Sequence, residues 1–209
     1  MESDNVRRAS NGFFGYVSVM HAVPNAPNVD VYANGNLIVS NLEYGKYTKY
    51  LRIPAQTYDI NIYVAGTTDN PVLSRMLTLG RNEIFTVAAV GTLDTIDLLA
   101  IRDADVPRVP DKALVRFVHL SPNAPAVDIT LPDGTVIFED ISFRQVTEYV
   151  PLEDMVYTLQ VRLAGTDTVA LTVPRVDVRE NNYYSIYAIG LVGGQPALDA
   201  LLVRDGNVR

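Results

Sequence analysis

A ten-residue stretch occurs twice in this chain, and the repeat constrains the fold more than any other feature. It spans residues 21–30, His-Ala-Val-Pro-Asn-Ala-Pro-Asn-Val-Asp, and residues 119–128, His-Leu-Ser-Pro-Asn-Ala-Pro-Ala-Val-Asp. Seven of the ten positions are identical, and the copies lie 98 residues apart. A small sandwich domain needs about 100 residues. The spacing therefore predicts two tandem copies of one domain.

Short strand signals fill both copies. In residues 57–64, Tyr58, Ile60, Ile62 and Val64 alternate with more polar positions, which is the period of a half-buried strand. Asn-Gly at 34–35 and Asp-Gly at 133–134 are hairpin signals. No stretch shows a convincing helical period. We expect an all-β chain of two antiparallel β-sandwiches, immunoglobulin-like or prealbumin-like.

The expected domain limits follow from the repeat. An N-terminal arm covers residues 1–15, the first sandwich 16–103, a linker 104–113 and the second sandwich 114–209. The linker contains Pro107 and Pro110, and prolines favour an extended, semi-rigid spacer. We therefore expect the two domains to hold a restricted relative orientation.

The composition excludes several classes of function. The 209 residues include no Cys, so thiolate catalysis and Cys-ligated zinc are excluded. The formal net charge is −7 and neither repeat carries a basic stripe, so we expect no nucleic-acid partner. No apolar run approaches the roughly 18 residues of a membrane span, so we expect no membrane insertion.

The motif and the features that follow it resemble a known family. After His-x-x-Pro-Asn-Ala-Pro-x-Val-Asp come a hairpin glycine, a strand ending in Ala-Gly-Thr (65–67 and 164–166) and a late Ala-x-Gly (89–91 and 188–190). Together these resemble the DUF4397 domain, a bacterial domain of unassigned function that is common in tandem copies in cell-envelope and surface proteins. The resemblance covers nearly all of residues 16–103 and 114–205. It implies a surface role and supplies no catalytic residue.

The residue types of the motif favour a structural role. The histidines share the side of the strand that faces the core, the prolines restrict the crossover, and the asparagines suit Asx-turns. The aspartates have the opposite parity and are expected to face away from the core. The motif residues are His21, Pro24, Asn25, Pro27 and Asp30, with His119, Pro122, Asn123, Pro125 and Asp128 in the second copy.

The alternative interpretation makes His and Asp a ligand or metal site. Each repeat has a single His, whereas zinc needs three or four protein ligands in a structural site. Asp69 and Asp167 lie in loops without the spaced acidic set that calcium requires. We therefore expect no metal and no cofactor.

Signals for catalysis are weak. Ser121 lies two residues from His119, but the matching position in the first repeat is Val23. The carboxylate pairs at 139–140 and 153–154 have no counterpart in the first repeat. We expect a protein that is not an enzyme and has no catalytic residues, and a hydrolase is the third choice of function.

Aromatic residues supply the remaining signal. There are twelve tyrosines, and several fall on strand positions that face away from the predicted core. Ordinary strand preference accounts for them, and the alternative is a contact surface for a partner or a sugar. The same alternative applies to the Phe pair at the end of the arm. The candidate contact residues are Phe13, Phe14, Tyr63, Tyr183 and Tyr187.

These observations favour a structural or adhesive module of a bacterial cell envelope or spore surface, which acts by binding a protein partner or by self-assembly. The N-terminus lacks the apolar region of a secretory signal. A spore layer fits this, because its proteins are deposited from within the mother cell; synthesis without export and a trimmed sequence remain alternatives. The second choice of function is a carbohydrate- or small-ligand-binding module, with a glycan as its partner.

Overall fold

The computed structural model describes residues 13–206, and its regular structure in that range consists of sixteen β-strands. The first eight strands are β1 Phe14–His21, β2 Val29–Ala33, β3 Asn36–Leu42, β4 Leu51–Pro54, β5 Thr57–Val64, β6 Leu73–Thr78, β7 Ile84–Val90 and β8 Asp97–Arg102. The other eight are β9 Lys112–His119, β10 Val127–Thr130, β11 Val136–Ile141, β12 Val150–Glu153, β13 Met155–Leu163, β14 Val169–Val178, β15 Tyr183–Ile189 and β16 Asp199–Asp205. The all-β prediction is confirmed.

The strands form four sheets of four strands, and the two halves of the chain repeat one topology. The first half has the sheets β3-β2-β5-β6 and β4-β1-β7-β8, and the second has β11-β10-β13-β14 and β12-β9-β15-β16. In each half the two sheets pack face to face as a sandwich, which confirms the predicted architecture. The exact domain limits stay a prediction, and β1 begins at Phe14, two residues before the expected start of the first sandwich.

The sheets are antiparallel as expected, except at the centre of each sandwich. Strand β1 pairs in parallel with β7, and β9 pairs in parallel with β15. Between the paired strands the chain crosses to the other sheet of the sandwich and returns twice. A long crossover of this kind is what parallel pairing requires, because a tight hairpin joins only antiparallel neighbours.

Each sandwich has its own hydrophobic core. The first contains Val17 and Val19 of β1, and the predicted inward residues Tyr58, Ile60 and Ile62 of β5 are also buried in it. The second core has the equivalent composition, with Val115 and Phe117 of β9 and Leu159 and Val161 of β13 among its members. The period-two pattern therefore identified the side of β5 and β13 that packs inward.

A third core lies between the two sandwiches. Its buried members are Met20, Ala22, Ala88, Val90, Ile101, Val118, Leu120, Tyr187, Ile189 and Val203. They come from the sheets β4-β1-β7-β8 and β12-β9-β15-β16, which we call the inner sheets; the other two are the outer sheets. The inner sheets pack on each other, so the molecule is a stack of four sheets. Direct contact between the domains thus restricts their relative orientation, and the stiffness of the linker stays a prediction.

Candidate functional site

The histidine of each repeated motif is fully buried and holds the loop that follows it. In the first copy, Nε2 of His21 donates to the carbonyl of Pro27 at 3.1 Å, and Nδ1 accepts the backbone N–H of Val23 at 3.3 Å. In the second copy, Nε2 of His119 contacts the carbonyl of Pro125 at 3.2 Å. Burial lowers the pKa of both imidazoles, so both are neutral at physiological pH. This geometry supports the structural interpretation of the histidines.

The aspartate of each motif connects two turns. The Asp30 carboxylate accepts the backbone N–H of Asn41 at 2.7 Å and that of Gly66 at 2.8 Å. The Asp128 carboxylate accepts the N–H of Asp140 at 2.8 Å and that of Gly165 at 2.9 Å. The bond from Gly66, and after it the smaller effect of the bond from Asn41, lowers the pKa of the Asp30 carboxyl below its ordinary value. The repeated Asp and the repeated Ala-Gly-Thr turn are therefore one interacting unit.

The glycine of that turn is needed for its backbone conformation. Gly66 and Gly165 have φ angles of 80° and 70°, in the region that L side chains rarely adopt. Their N–H groups point at the aspartates because the turn takes this conformation. The Asp-Gly pairing explains why the two sequence features recur together in both halves.

Asp128→Ala should lower the free energy of unfolding by about 1.5 to 3 kcal/mol, because two backbone N–H groups lose a charged acceptor. Urea denaturation measures this loss. Asp69→Ala is the matched control, since Asp69 is exposed in a loop, and it should leave stability nearly unchanged. Equal losses in the two variants would contradict the structural role of Asp128.

The other motif residues occupy the crossover loop. Pro24 is buried, Pro122 is half-buried, and Pro27 and Pro125 are exposed. Asn25 is exposed with a φ of 62°. The Asx-turn expected at Asn123 is wrong, because its amide instead brackets the backbone of Val192, with bonds of 2.9 and 3.0 Å. It therefore fastens the crossover to a loop 69 residues further along.

Ser121 is fixed by a structural hydrogen bond. Its hydroxyl donates to the carbonyl of Gly190 at 2.7 Å, and the residue is fully buried. The serine thus donates into the backbone, not to His119, and the Ser–His spacing noted in the sequence does not correspond to a nucleophile–base pair in this geometry.

A cluster of charged and hydroxyl side chains is buried where the two domains meet, and sequence reasoning missed it. We call it the Arg116 cluster; it contains Arg116, Asp103, Asp205, Tyr50, Tyr149, Thr86 and Ser185. The Arg116 side chain is 3% exposed and pairs with Asp103, with Asp205 Oδ2 at 3.6 Å. Its Nε donates to Ser185 at 2.7 Å and its Nη1 to the carbonyl of Arg102 at 2.6 Å.

The hydroxyl contacts of the cluster show an approximate two-fold relation between the domains. Tyr50 and Thr86 donate to Asp103 at 2.8 and 2.7 Å, and Tyr149 and Ser185 donate to Asp205 at 2.7 and 2.6 Å. Each tyrosine oxygen also accepts a backbone N–H from the opposite domain's end: Gly206 on Tyr50, and Ala104 on Tyr149. Tyr50 and Tyr149 therefore each connect an aspartate of their own domain to the backbone at the end of the other domain.

The cluster buries two carboxylates with one guanidinium. Desolvation, and for Asp103 also the charge of Asp205, raises the pKa of both carboxyls above their ordinary value, although Arg116 opposes the shift. The Arg116 position corresponds to Ser18 in the first repeat, so the positive charge comes from one domain only. Tyr149 also lies under the guanidinium, 4.6 Å from ring centroid to Cζ.

The raised pKa of Asp103 predicts a pH dependence of stability. A carboxyl with a folded-state pKa above its unfolded value keeps its proton longer when folded, so its contribution is lost as pH rises from about 4 towards that folded pKa. The difference in the free energy of unfolding, Asp103→Asn minus wild type, should therefore become more positive as pH rises over this range. Urea titrations at closely spaced pH values measure that difference. A difference that is flat or falls with pH would contradict the prediction.

The structure corrects two of the candidate contact residues. Tyr187 is fully buried in the third core, and Tyr183 is 9% exposed and donates to the carbonyl of Val106 at 2.7 Å. Both face away from their own sandwich, as predicted, but that face is covered by the other domain and the linker. Neither tyrosine is open to an external partner.

The remaining contact candidates lie nearer the surface. Phe13 is 59% exposed beside Arg81, whose Cζ lies 4.6 Å from the ring centroid. Phe14 belongs to β1 and stacks under Arg52. Tyr63 is half-buried on the outer sheet against Tyr32. The rest of the predicted arm, residues 1–12, lies outside the described residues.

An open cleft lies on the solvent side of the outer sheet in the second domain. We call it the Thr130 cleft; it has a volume of about 190 Å³ and is lined by Asp128, Thr130, Gly134, Val136, Arg162, Gly165, Thr166 and Asp167. Thr130 is 2% exposed, and its hydroxyl has no hydrogen-bond partner. Arg162 crosses the cleft, bonding Gln160 Oε1 at 2.8 Å and Asp167 at 3.2 Å.

No group of three or more His, Asp or Glu side chains in residues 13–206 is arranged to hold a metal ion. The same range includes no helix with the length and hydrophobicity of a membrane span.

The fold and the repeated motif define a tandem β-sandwich protein whose two halves share one topology. The family model described as "Domain of unknown function (DUF4397)" matches residues 15–130 and 131–209. The chain belongs to the DUF4397 family. The family's description assigns no function.

Comparisons with individual proteins add little. No curated protein matches the chain. Among solved structures, CBMbc (family CBM26) from Eubacterium rectale Amy13K in complex with maltoheptaose is similar with a TM-score of 0.28 and 10% identity, over 91% of this chain and 96% of that one. The Bacillus anthracis TIE protein is similar with a TM-score of 0.26 and 14% identity, over 90% of this chain and 34% of that one. At such TM-scores these similarities support no inference about function.

Proposed function

We propose that the protein is a non-catalytic structural or adhesive module of a bacterial cell envelope or spore surface, and that it acts by binding a partner protein or further copies of itself. The observation that carries the proposal is the third core. It joins two sandwiches into one body and holds the two outer sheets at a fixed separation. A rigid body with two opposite faces suits a building block of an assembly.

The outer sheets offer surfaces for such contacts. Their terminal strands β3, β6, β11 and β14 present backbone groups without a neighbouring strand in the sheet. Large apolar side chains are also exposed on these sheets: Leu37, Met76, Val136, Met155, Val156 and Val169 are between 42% and 67% exposed. Apolar side chains at open sheet edges favour association with another chain.

The proposal is tested first by light scattering of the full chain over a range of concentrations. We expect concentration-dependent self-association that is reduced in the double variant Met76→Lys/Val169→Lys, because a charge at an open edge opposes strand pairing. Thr68→Lys is the control, since it adds a charge in an exposed loop.

Deleting residues 1–12, which leaves β1 intact, tests whether the N-terminal arm mediates the self-association. Fractionating the producing cells and detecting the protein with an antibody tests where the protein is located. A monomer at all concentrations together with a purely cytosolic location would overturn the proposal. Association that is lost only on deletion of the arm would place the contact there and not on the outer sheets.

A further inference from the structure

The Thr130 cleft contains a buried hydroxyl that the protein leaves without a partner. A polar group in such a place costs free energy unless something else completes its hydrogen bonds. The Thr130 hydroxyl can both donate and accept. The hydroxyl is itself shielded from solvent, and the residue borders a cleft that is open to solvent.

The first domain closes the equivalent place. In the paired outer strands, Asp128 lies opposite Arg162 and Thr130 opposite Gln160, whereas Asp30 lies opposite Tyr63 and Tyr32 opposite Asn61. Tyr32 and Tyr63 pack edge to face there, with ring centroids 5.3 Å apart. Two rings thus occupy, in the first domain, the positions of Thr130 and Arg162. At this place the two copies therefore differ, with aromatic packing in the first domain and an open polar cleft in the second.

The charges of the cleft select against an ionic ligand. Arg162 is 14% exposed at its side chain and is flanked by the carboxylates of Asp128 and Asp167. The carboxylates oppose an anion and the guanidinium opposes a cation. A neutral ligand that donates and accepts hydrogen bonds meets neither penalty.

The remaining hydrogen-bonding capacity suits hydroxyl groups. Three N–H groups of Arg162 are engaged with Gln160 and Asp167, and a guanidinium has five. Asp167 is fully exposed, so its pair with Arg162 is worth little and can rearrange around a ligand. Val136, 52% exposed, supplies an apolar wall for C–H groups.

We propose that the Thr130 cleft binds one small, neutral, polyhydroxylated unit, such as a single sugar residue. Arg162 contacts its hydroxyls from the floor, the Thr130 hydroxyl joins them when neighbouring side chains shift and expose it, and Asp167 accepts a hydrogen bond from the rim. The volume of about 190 Å³ limits the ligand to less than drug size. This site adjoins the assembly surface proposed above, since Val136 belongs to both, and it locates the carbohydrate alternative on the outer sheet of the second domain.

The experiment is an NMR titration of the isotope-labelled full chain with glucose, galactose and N-acetylglucosamine, and with acetate and choline as charged probes. We expect saturable shifts at Thr130, Arg162 and the Gly165–Asp167 turn with at least one sugar. Thr130→Val should weaken that binding about tenfold, the effect of one lost hydrogen bond. It should not destabilise the fold, because it removes a hydroxyl without a partner.

Thr172→Val is the matched control. Thr172 lies opposite Gln160 on the neighbouring strand and is exposed, and it does not line the cleft. It should bind as wild type does. Asp167→Asn separates the ligand classes, because it should weaken a sugar but strengthen an anion. Saturable shifts with acetate or choline alone, or no shifts at the cleft with any probe, would overturn the proposal.

Discussion

Arg116→Met should lower the free energy of unfolding by about 3 to 5 kcal/mol at neutral pH, because removing one partner of a buried ion pair leaves uncompensated charge. Two carboxylates, Asp103 and Asp205, would then share a site with no cation. Urea or guanidinium denaturation at pH 7 measures the loss. The deficit should shrink as pH is lowered and the carboxyls take up protons, since their pKa is already raised by desolvation.

Two further variants separate charge from packing in that experiment. Arg179→Met removes an arginine that pairs with Asp154 and Asp177 but is 55% exposed at its side chain, and its effect on the free energy of unfolding should be much smaller. The triple variant Arg116→Met/Asp103→Asn/Asp205→Asn removes the charges together and should recover most of the loss. If Arg116→Met costs no more than Arg179→Met, the buried cluster does not stabilise the domain contact.

Tyr187→Ala should cost about 3 to 5 kcal/mol, the range for removing a buried aromatic ring. Tyr187 is fully buried in the third core, between the inner sheets. Because this core couples the domains, we expect calorimetry to show one unfolding transition for the wild type and two for the variant. The second domain, which supplies Tyr187, should unfold first.

The control for Tyr187→Ala is Tyr47→Ala, since Tyr47 is 45% exposed, and it should preserve the single transition. Tyr187→Phe gives a second check. The Tyr187 hydroxyl is buried without a partner, so its removal should leave stability unchanged or slightly higher. A single transition in Tyr187→Ala would show that the third core is not what couples the domains.

Much of the fold could be predicted from the repeat and from strand period. The duplicated motif predicted two equivalent units, and alternation in β5 identified Tyr58, Ile60 and Ile62 as inward residues. These inferences succeeded because they depend on local period and on comparison of the chain with itself. The parallel centre of each sandwich was not accessible, since the pairing of β1 with β7 depends on contacts across some 70 residues.

The inner strands have one side that points away from their own sandwich, and the prediction that this side is open to a partner failed for a physical reason. A residue that points away from its own sandwich can meet water or another domain, and strand parity cannot distinguish the two. Tyr183, Tyr187 and Arg116 all point that way, and all are buried. One signal was present: β15 reads Tyr-Tyr-Ser-Ile-Tyr-Ala-Ile, with large side chains on both faces, which is typical of a strand covered on both sides.

The Arg116 cluster could be only partly predicted. Tyr50 and Asp103 recur as Tyr149 and Asp205, so the repeat itself marks them as equivalent. Their convergence at one point required the packing of two domains, which sequence spacing does not encode. The unpartnered Thr130 hydroxyl and the cleft beside it likewise depend on side-chain placement that sequence spacing does not encode.

The asymmetry of the Arg116 cluster means that the two domains are not interchangeable. The second domain supplies Arg116, and the first has Ser18 at the equivalent position. Two copies of the first domain would bring two carboxylates to the contact without the guanidinium that pairs with them. Replacing the second domain by a second copy of the first should therefore abolish the contact between the inner sheets.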